Sequence, residues 1–223
     1  MTPIGFSIHP TPRLVSDEQI ATFAVFAVSN ISDAMQRTSG TDHLRPFHRT
    51  GRVIGRALTV KSAPADNLML HKAIQMAQPG DVIVVETGGH MRNAVVGELM
   101  STAAALKGVA GFVIDGAIRD SAVIAEKDFG VFARGISHRG PFKEGPGEIN
   151  VPISIDGMLT LPGDLIVGDH DGVIAIRPNG LDRIAEQVRA IEEKEKHMLQ
   201  RMADGSLDSG WIDETLKKKG VVL

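Results

Sequence analysis

The residues best suited to chemistry lie in two short stretches, "GELM" at positions 97–100 and "VIDGAIRDS" at 113–121. In the second, Arg119 and Asp120 stand side by side just beyond an apolar run. A guanidinium presents a fork of donors that matches a carboxylate, and an aspartate presents hard oxygens to a cation. In the first, Gly97 precedes a helix-forming run, so the amides of Leu99 and Met100 lack intrahelical acceptors and can receive an anion. Glu98 sits in the same first turn, where it also complements the helix dipole. A small oxo-acid and a metal ion could share such a site. An ordinary salt bridge would use the same residues, and their types alone leave both readings open.

Other chemistries find less support. There is no GxxxxGK[ST] or GxGxxG phosphate cradle and no GxSxG elbow. Cysteine is absent and the eight histidines are scattered, without an HExxH pair. Any metal must therefore rest on carboxylates, water and substrate oxygens, which favours Mg²⁺ or Mn²⁺ over zinc. "GDHDGV" (168–173) has alternating acids but lacks the remaining ligands of a calcium loop, so it reads as a hairpin turn. Lys61, near a strand end, could form a Schiff base but reads better as a solvated or ion-paired lysine. Lys107 is explained by the dipole at the end of its own helix.

The elements that must position these residues follow from punctuation and periodicity. Residues 17–36 suggest a helix and then a second, short one capped by Ser32 or Asp33. "GRVIGRALTVK" (51–61) reads as a strand with a possible bulge at Gly55. Asp66 caps a helix running to about Ala77, "QPGD" turns, and "VIVVE" (82–86) is a buried strand. A loop through Gly88 and Gly89 leads to Gly97. "ELMSTAAALK" is then a helix closed by Gly108, and "VAGFVID" is a strand ending at Asp115. "SAVIAEKD" is a helix, "GVFARGIS" a strand, and residues 139–150 a Gly- and Pro-rich loop. "LIVGDHDGVIAI" forms a hairpin, and a long helix from about Leu181 to Met202 precedes a short tail. Near-continuous apolar strands alternating with helices indicate βαβ units with buried parallel strands. Ligands of such sheets collect beyond the carboxyl ends of the strands, where Gly97, Glu98, Arg119 and Asp120 would meet.

Length and composition agree with one α/β domain. The chain has 223 residues, 43% of them hydrophobic and 23% charged, and no low-complexity linker divides it. The net charge of −3 argues against a nucleic-acid partner. The one basic run, Lys217 to Lys219, reads as a solvated face. The start lacks the features of a signal peptide, and no apolar run approaches about 18 residues. With no cysteine, the expectation is a cytoplasmic protein without membrane contact.

"GELMSTAAALKGVAGFVIDGAIRD" resembles the core of the RraA-like family, which contains the 4-hydroxy-4-methyl-2-oxoglutarate aldolases and the regulator of ribonuclease activity A. The family pattern is an acid, twenty residues, then Arg-Asp, and here it runs from Glu98 to Arg119 and Asp120. "LTVKSAPADNLMLHKAIQMAQPGDVIVVE" and "PGDLIVGDHDGVIAI" extend the match over residues 28 to 205, with a helical tail from about 181 to 223. The resemblance implies a single-domain α/β/α sandwich of the swivelling β/β/α type, assembled as a homotrimer or a hexamer with its site at a subunit boundary.

It also implies roles. Backbone groups of Gly97, Glu98, Leu99 and Met100 would hold the pyruvyl carboxylate, Arg119 the 2-oxo and carboxylate oxygens, and Asp120 a divalent cation, Mg²⁺ or Mn²⁺. An acid from a neighbouring subunit's C-terminal helix matches Glu195, with Glu192 as second choice. The implied reaction is a class II retro-aldol cleavage of 4-hydroxy-4-methyl-2-oxoglutarate or 4-carboxy-4-hydroxy-2-oxoadipate to pyruvate and an oxo-acid. Glu98 and Glu195 would orient a water that takes the 4-hydroxyl proton, and oxaloacetate decarboxylation would be a side activity. Characterised aldolases carry aspartate at the position of Glu98, and one methylene moves the charge by about 1.5 Å. The same chemistry on another oxo-acid, or a non-catalytic regulator that binds a ribonuclease, are the alternatives.

Overall fold

The computed structural model describes residues 3–223. In chain order the elements up to the site are β1 (Phe6–Ile8), α1 (Asp17–Phe23), α2 (Val28–Ala34), β2 (Arg45–Pro46), β3 (Val53–Ser62), α3 (Leu68–Met76), β4 (Asp81–Val96), α4 (Glu98–Leu106), β5 (Gly111–Ile118) and α5 (Ser121–Ala125). Then follow β6 (Gly130–Ile136), β7 (Gly147–Ile149), β8 (Ile153–Ile155), β9 (Met158–Thr160), β10 (Leu165–Asp169), β11 (Gly172–Ile176), α6 (Leu181–Ala203) and α7 (Gly210–Lys218).

The centre is the parallel set β3-β4-β5-β6, joined in sequence order through α3, α4 and α5. Burial on both faces explains why these strands read as continuous apolar runs. Leu58, Val60, Ile83, Val85, Phe112 and Ile114 face the core shared with α3 and α4. The alternate residues Ala57, Val82, Val84, Val113 and Phe132 face the opposite way, toward the β8–β9 hairpin and β11. β10 pairs antiparallel with both β3 and β11. Its side chains divide between two cores: Ile166 joins the second, while Leu165 and Val167 pack against α1, α2 and α6. The result is a single α/β domain with helices on both outer faces.

Several expectations are corrected here. The second helix begins at Val28, not at Ser32 or Asp33, because its cap comes from elsewhere: Asp169 Oδ2 accepts the Val28 N–H at 2.8 Å. That contact also gives the hairpin acid a structural use. Gly55 is no bulge, since the β3–β10 register is unbroken there; instead a side chain would strike the Gly80 carbonyl. Lys107 serves another helix than its own, donating to the Ile74 and Gln75 carbonyls at the end of α3, at 2.9 and 2.6 Å. Residues 139–150, expected as a loop, contain β7, and residues 153–160 beyond them form the β8–β9 hairpin.

The largest correction concerns the strand ends. β4 runs on past Glu86 through Gly88 and Gly89 to Val96, with register shifts, and β5 runs past Asp115 to Ile118. His90, Ala94 and Val96 pair with Gly116, Ala117 and Ile118. Asp115 is therefore buried within the sheet and ion-paired with Arg134, which also binds Asp156 at 2.8 Å. Only at Arg119 does the chain leave the sheet.

Candidate functional site

Each half of the site is set by a strand that delivers a short turn. β4 ends at Val96, whose carbonyl accepts the Arg119 N–H at 2.9 Å, so the ends of β4 and β5 are locked side by side. Gly97 then starts α4 in an extended conformation that any residue could adopt. Its glycine is required by space. A Cβ there would lie 2.5 Å from Asp120 Oδ2 and 2.9 Å from Arg119 Cγ.

Asp120 occupies the left-handed region at φ 56°, ψ 34°, which aspartate tolerates better than most residues. This turns its carboxylate away from its own helix, α5, and toward α4. Asp120 Oδ2 accepts the Glu98 N–H at 3.0 Å and lies 3.6 Å from Arg119 Nε. The next two amides of α4, those of Leu99 and Met100, find no acceptor among the described residues. Arg119 has no other ion-pair partner there, and both it and Asp120 are a little under half exposed.

A small cavity of about 30 Å³ is lined by Asn67, Gly97, Leu99, Met100 and Arg119, among others. Asn67 is a residue that sequence reasoning missed. It is 3% exposed, and its Nδ2 donates to the Val95 carbonyl at 3.0 Å and to Met100 Sδ at 3.2 Å. Its Oδ1 is buried with no hydrogen-bond partner. A buried, unsatisfied amide oxygen is costly and calls for an explanation. The signal available in sequence was its place directly after Asp66, at the start of α3.

Glu98 points its carboxylate to Lys127, with Oε1 3.3 Å from Nζ. Glu195 is not brought to this cluster within the chain. It is exposed on α6, where its Oε2 accepts from Asn30 Nδ2 of α2 at 3.1 Å. Glu192 lies one turn earlier on the same helix.

Among the described residues no group of three or more His, Asp or Glu side chains converges as a metal cage. Asp120 lies beside the cavity residues Gly97 and Arg119, and its Oδ1 takes no hydrogen bond from them. A single aspartate with open coordination fits a hard cation that keeps most of its waters, as Mg²⁺ does, and not a four-ligand zinc centre.

Comparison with known proteins decides the family. Residues 28–175 match the family model described as RraA-like, Aldolase/RraA. The chain belongs to the RraA-like family. A relative from Halalkalibacterium halodurans, named "Putative 4-hydroxy-4-methyl-2-oxoglutarate aldolase", is 43% identical over 162 residues, covering 72% of this chain and 77% of that protein. The protein of Thermus thermophilus named 4-hydroxy-4-methyl-2-oxoglutarate aldolase is 33% identical over 132 residues, 59% of this chain and 80% of its own. Among solved structures, that of the RNA-processing inhibitor RraA from Thermus thermophilus superposes with a TM-score of 0.63 at 30% identity, covering 67% of this chain and 92% of that one. Streptomyces coelicolor RraAS2, described as an unusual member of the RNase ES inhibitor RraA protein family, shares the fold with a TM-score of 0.74 at 24% identity over 85% of this chain and 99% of its own. The RraA-like chain thus has relatives named as aldolases and relatives named as regulators. No described helix is long and apolar enough to cross a membrane.

Proposed function

We propose that this RraA-like chain is a lyase that cleaves a 4-hydroxy-2-oxo acid to pyruvate and a second oxo-acid. The proposed substrate is 4-hydroxy-4-methyl-2-oxoglutarate or 4-carboxy-4-hydroxy-2-oxoadipate, and the same site would decarboxylate oxaloacetate. The observation that carries this reading is the set of donors left without acceptors around one small cavity: the Arg119 guanidinium and the amides of Leu99 and Met100. Two amides at a helix start suit a carboxylate. A guanidinium beside them suits a 2-oxo oxygen that gains negative charge as the C–C bond breaks.

In this reading the amides of Leu99 and Met100 hold the pyruvyl carboxylate, and Arg119 stabilises the enolate. Mg²⁺ or Mn²⁺ held by Asp120 would supply Lewis-acid stabilisation of the same charge. Glu98 orients the water that takes the 4-hydroxyl proton, together with Glu195 from a neighbouring copy in a trimer or hexamer. That Glu195 sits on an exposed stretch of α6, apart from its own chain's cluster, supports a contribution between copies. Asn67 Oδ1 is positioned for a donor on the substrate or on an ordered water.

The likeness to the RNA-processing inhibitor RraA favours a second reading, a non-catalytic regulator that binds a ribonuclease. Incubation with Mg²⁺ or Mn²⁺ and either 4-hydroxy-4-methyl-2-oxoglutarate or oxaloacetate, with pyruvate followed by a coupled assay, separates the two. The lyase releases pyruvate, stops with EDTA, and loses about 10²-fold or more in kcat/KM with Arg119→Lys, because a point charge replaces the fork. Absence of pyruvate from both compounds would leave the regulator or the same chemistry on another oxo-acid.

A further inference from the structure

Glu98 and Thr102 lie one turn apart on α4, and therefore on one face. Lys127, just past the end of α5, reaches both: its Nζ is 3.3 Å from Glu98 Oε1 and 3.1 Å from Thr102 Oγ1. α5 begins immediately after Arg119 and Asp120. The two segments that build the site are thus tied at two points. Asp120 holds the Glu98 backbone, and Lys127 holds the Glu98 side chain.

The second tie has a consequence for charge. The Glu98 carboxylate is 44% exposed, on a flexible side chain one residue before the unpaired amides. Arg119 is linked to the Glu98 backbone through one atom, since Asp120 Oδ2 accepts the Glu98 N–H at 3.0 Å and lies 3.6 Å from Arg119 Nε. A carboxylate of the protein on that guanidinium would compete with the carboxylate of an oxo-acid.

We propose that Lys127 is a positioning residue that holds Glu98 away from Arg119 and so keeps the guanidinium open to an anionic 2-oxo acid; this rests on the reading of the site given above. Neither partner is deeply buried, so the pair contributes little to folding stability. Its effect falls on substrate affinity and on turnover. Loss of the ammonium lets Glu98 compete with the substrate for Arg119, which raises KM, and it also frees the carboxylate assigned to the water, which lowers kcat.

The test is a double-mutant cycle on pyruvate release, with the melting temperature of each variant recorded. Lys127→Met raises KM about fivefold and also lowers kcat, and Lys127→Arg restores the wild-type KM. In a Glu98→Gln background kcat falls, but Lys127→Met then changes KM by less than about 1.5-fold, because no carboxylate remains to compete. The inhibition constant of pyruvate moves in step with KM. A wild type that cleaves while Lys127→Met keeps its KM, or a KM rise that persists in Glu98→Gln, overturns the role of Lys127 and leaves the lyase standing. A wild type that releases no pyruvate overturns the lyase reading and this inference together.

Discussion

Asp120 Oδ2 accepts the backbone N–H of Glu98 at 3.0 Å, joining the start of one helix to the turn before the next. The same oxygen lies 3.6 Å from Arg119 Nε. One carboxylate therefore caps α4 and orients the neighbouring guanidinium, and it leaves Oδ1 for a cation. This double duty makes structural and chemical effects of its removal separable.

Asp120→Ala removes the cap and should lower stability by about 1 kcal/mol, measured by chemical denaturation. Asp120→Asn retains an acceptor for the Glu98 N–H and should melt close to wild type. Both should abolish metal-dependent pyruvate release. Full activity in Asp120→Asn would remove the cation-binding role.

Two glycines separate contact from conformation. Gly97→Ala places a methyl 2.5 Å from Asp120 Oδ2 on an extended backbone, so it should cost about 1–3 kcal/mol and sharply reduce turnover. Gly88 has φ +64° and no atom within 4 Å of its missing Cβ. Gly88→Ala should cost about 1–2 kcal/mol through strain alone and leave KM unchanged. Denaturation curves read beside kinetics give the contrast.

His48 predicts acid sensitivity of the fold. Its Nδ1 accepts the Val131 N–H at 3.1 Å, its Nε2 bonds the Arg52 carbonyl at 3.0 Å, and burial lowers its pKa below the ordinary histidine value. A lowered folded pKa means that the unfolded chain takes the proton first. The contribution is fully present above the ordinary histidine value of about 6.5 and is lost as pH falls through the folded value. Between pH 7 and pH 5 the wild type should lose more unfolding free energy than His48→Gln; equal losses would assign the acid sensitivity to other groups.

A site shared between copies should show complementation. Arg119→Ala and Glu195→Ala, each inactive alone, should regain activity when mixed under conditions of subunit exchange, since some boundaries then carry both wild-type residues. No recovery, with exchange verified by mass, would place the acid within one chain or remove it from the mechanism.

Much of this protein was legible without coordinates. Alternating apolar runs and helix signals locate β3 to β6 and α3 to α5, because burial on both strand faces writes itself into composition. The GELM start and the Arg-Asp turn also stand out, since short motifs at strand exits are local, and the structure does bring Gly97 to Met100 together with Arg119 and Asp120. What needed tertiary structure was every partnership across the chain. Val28 is capped by Asp169, Lys107 closes α3, Glu98 turns to Lys127, and β4 and β5 outrun their apolar stretches by pairing with each other. A side-chain periodicity reports which face of an element is buried. It carries no record of which distant donor meets which acceptor, because that is decided only when packing brings the two together.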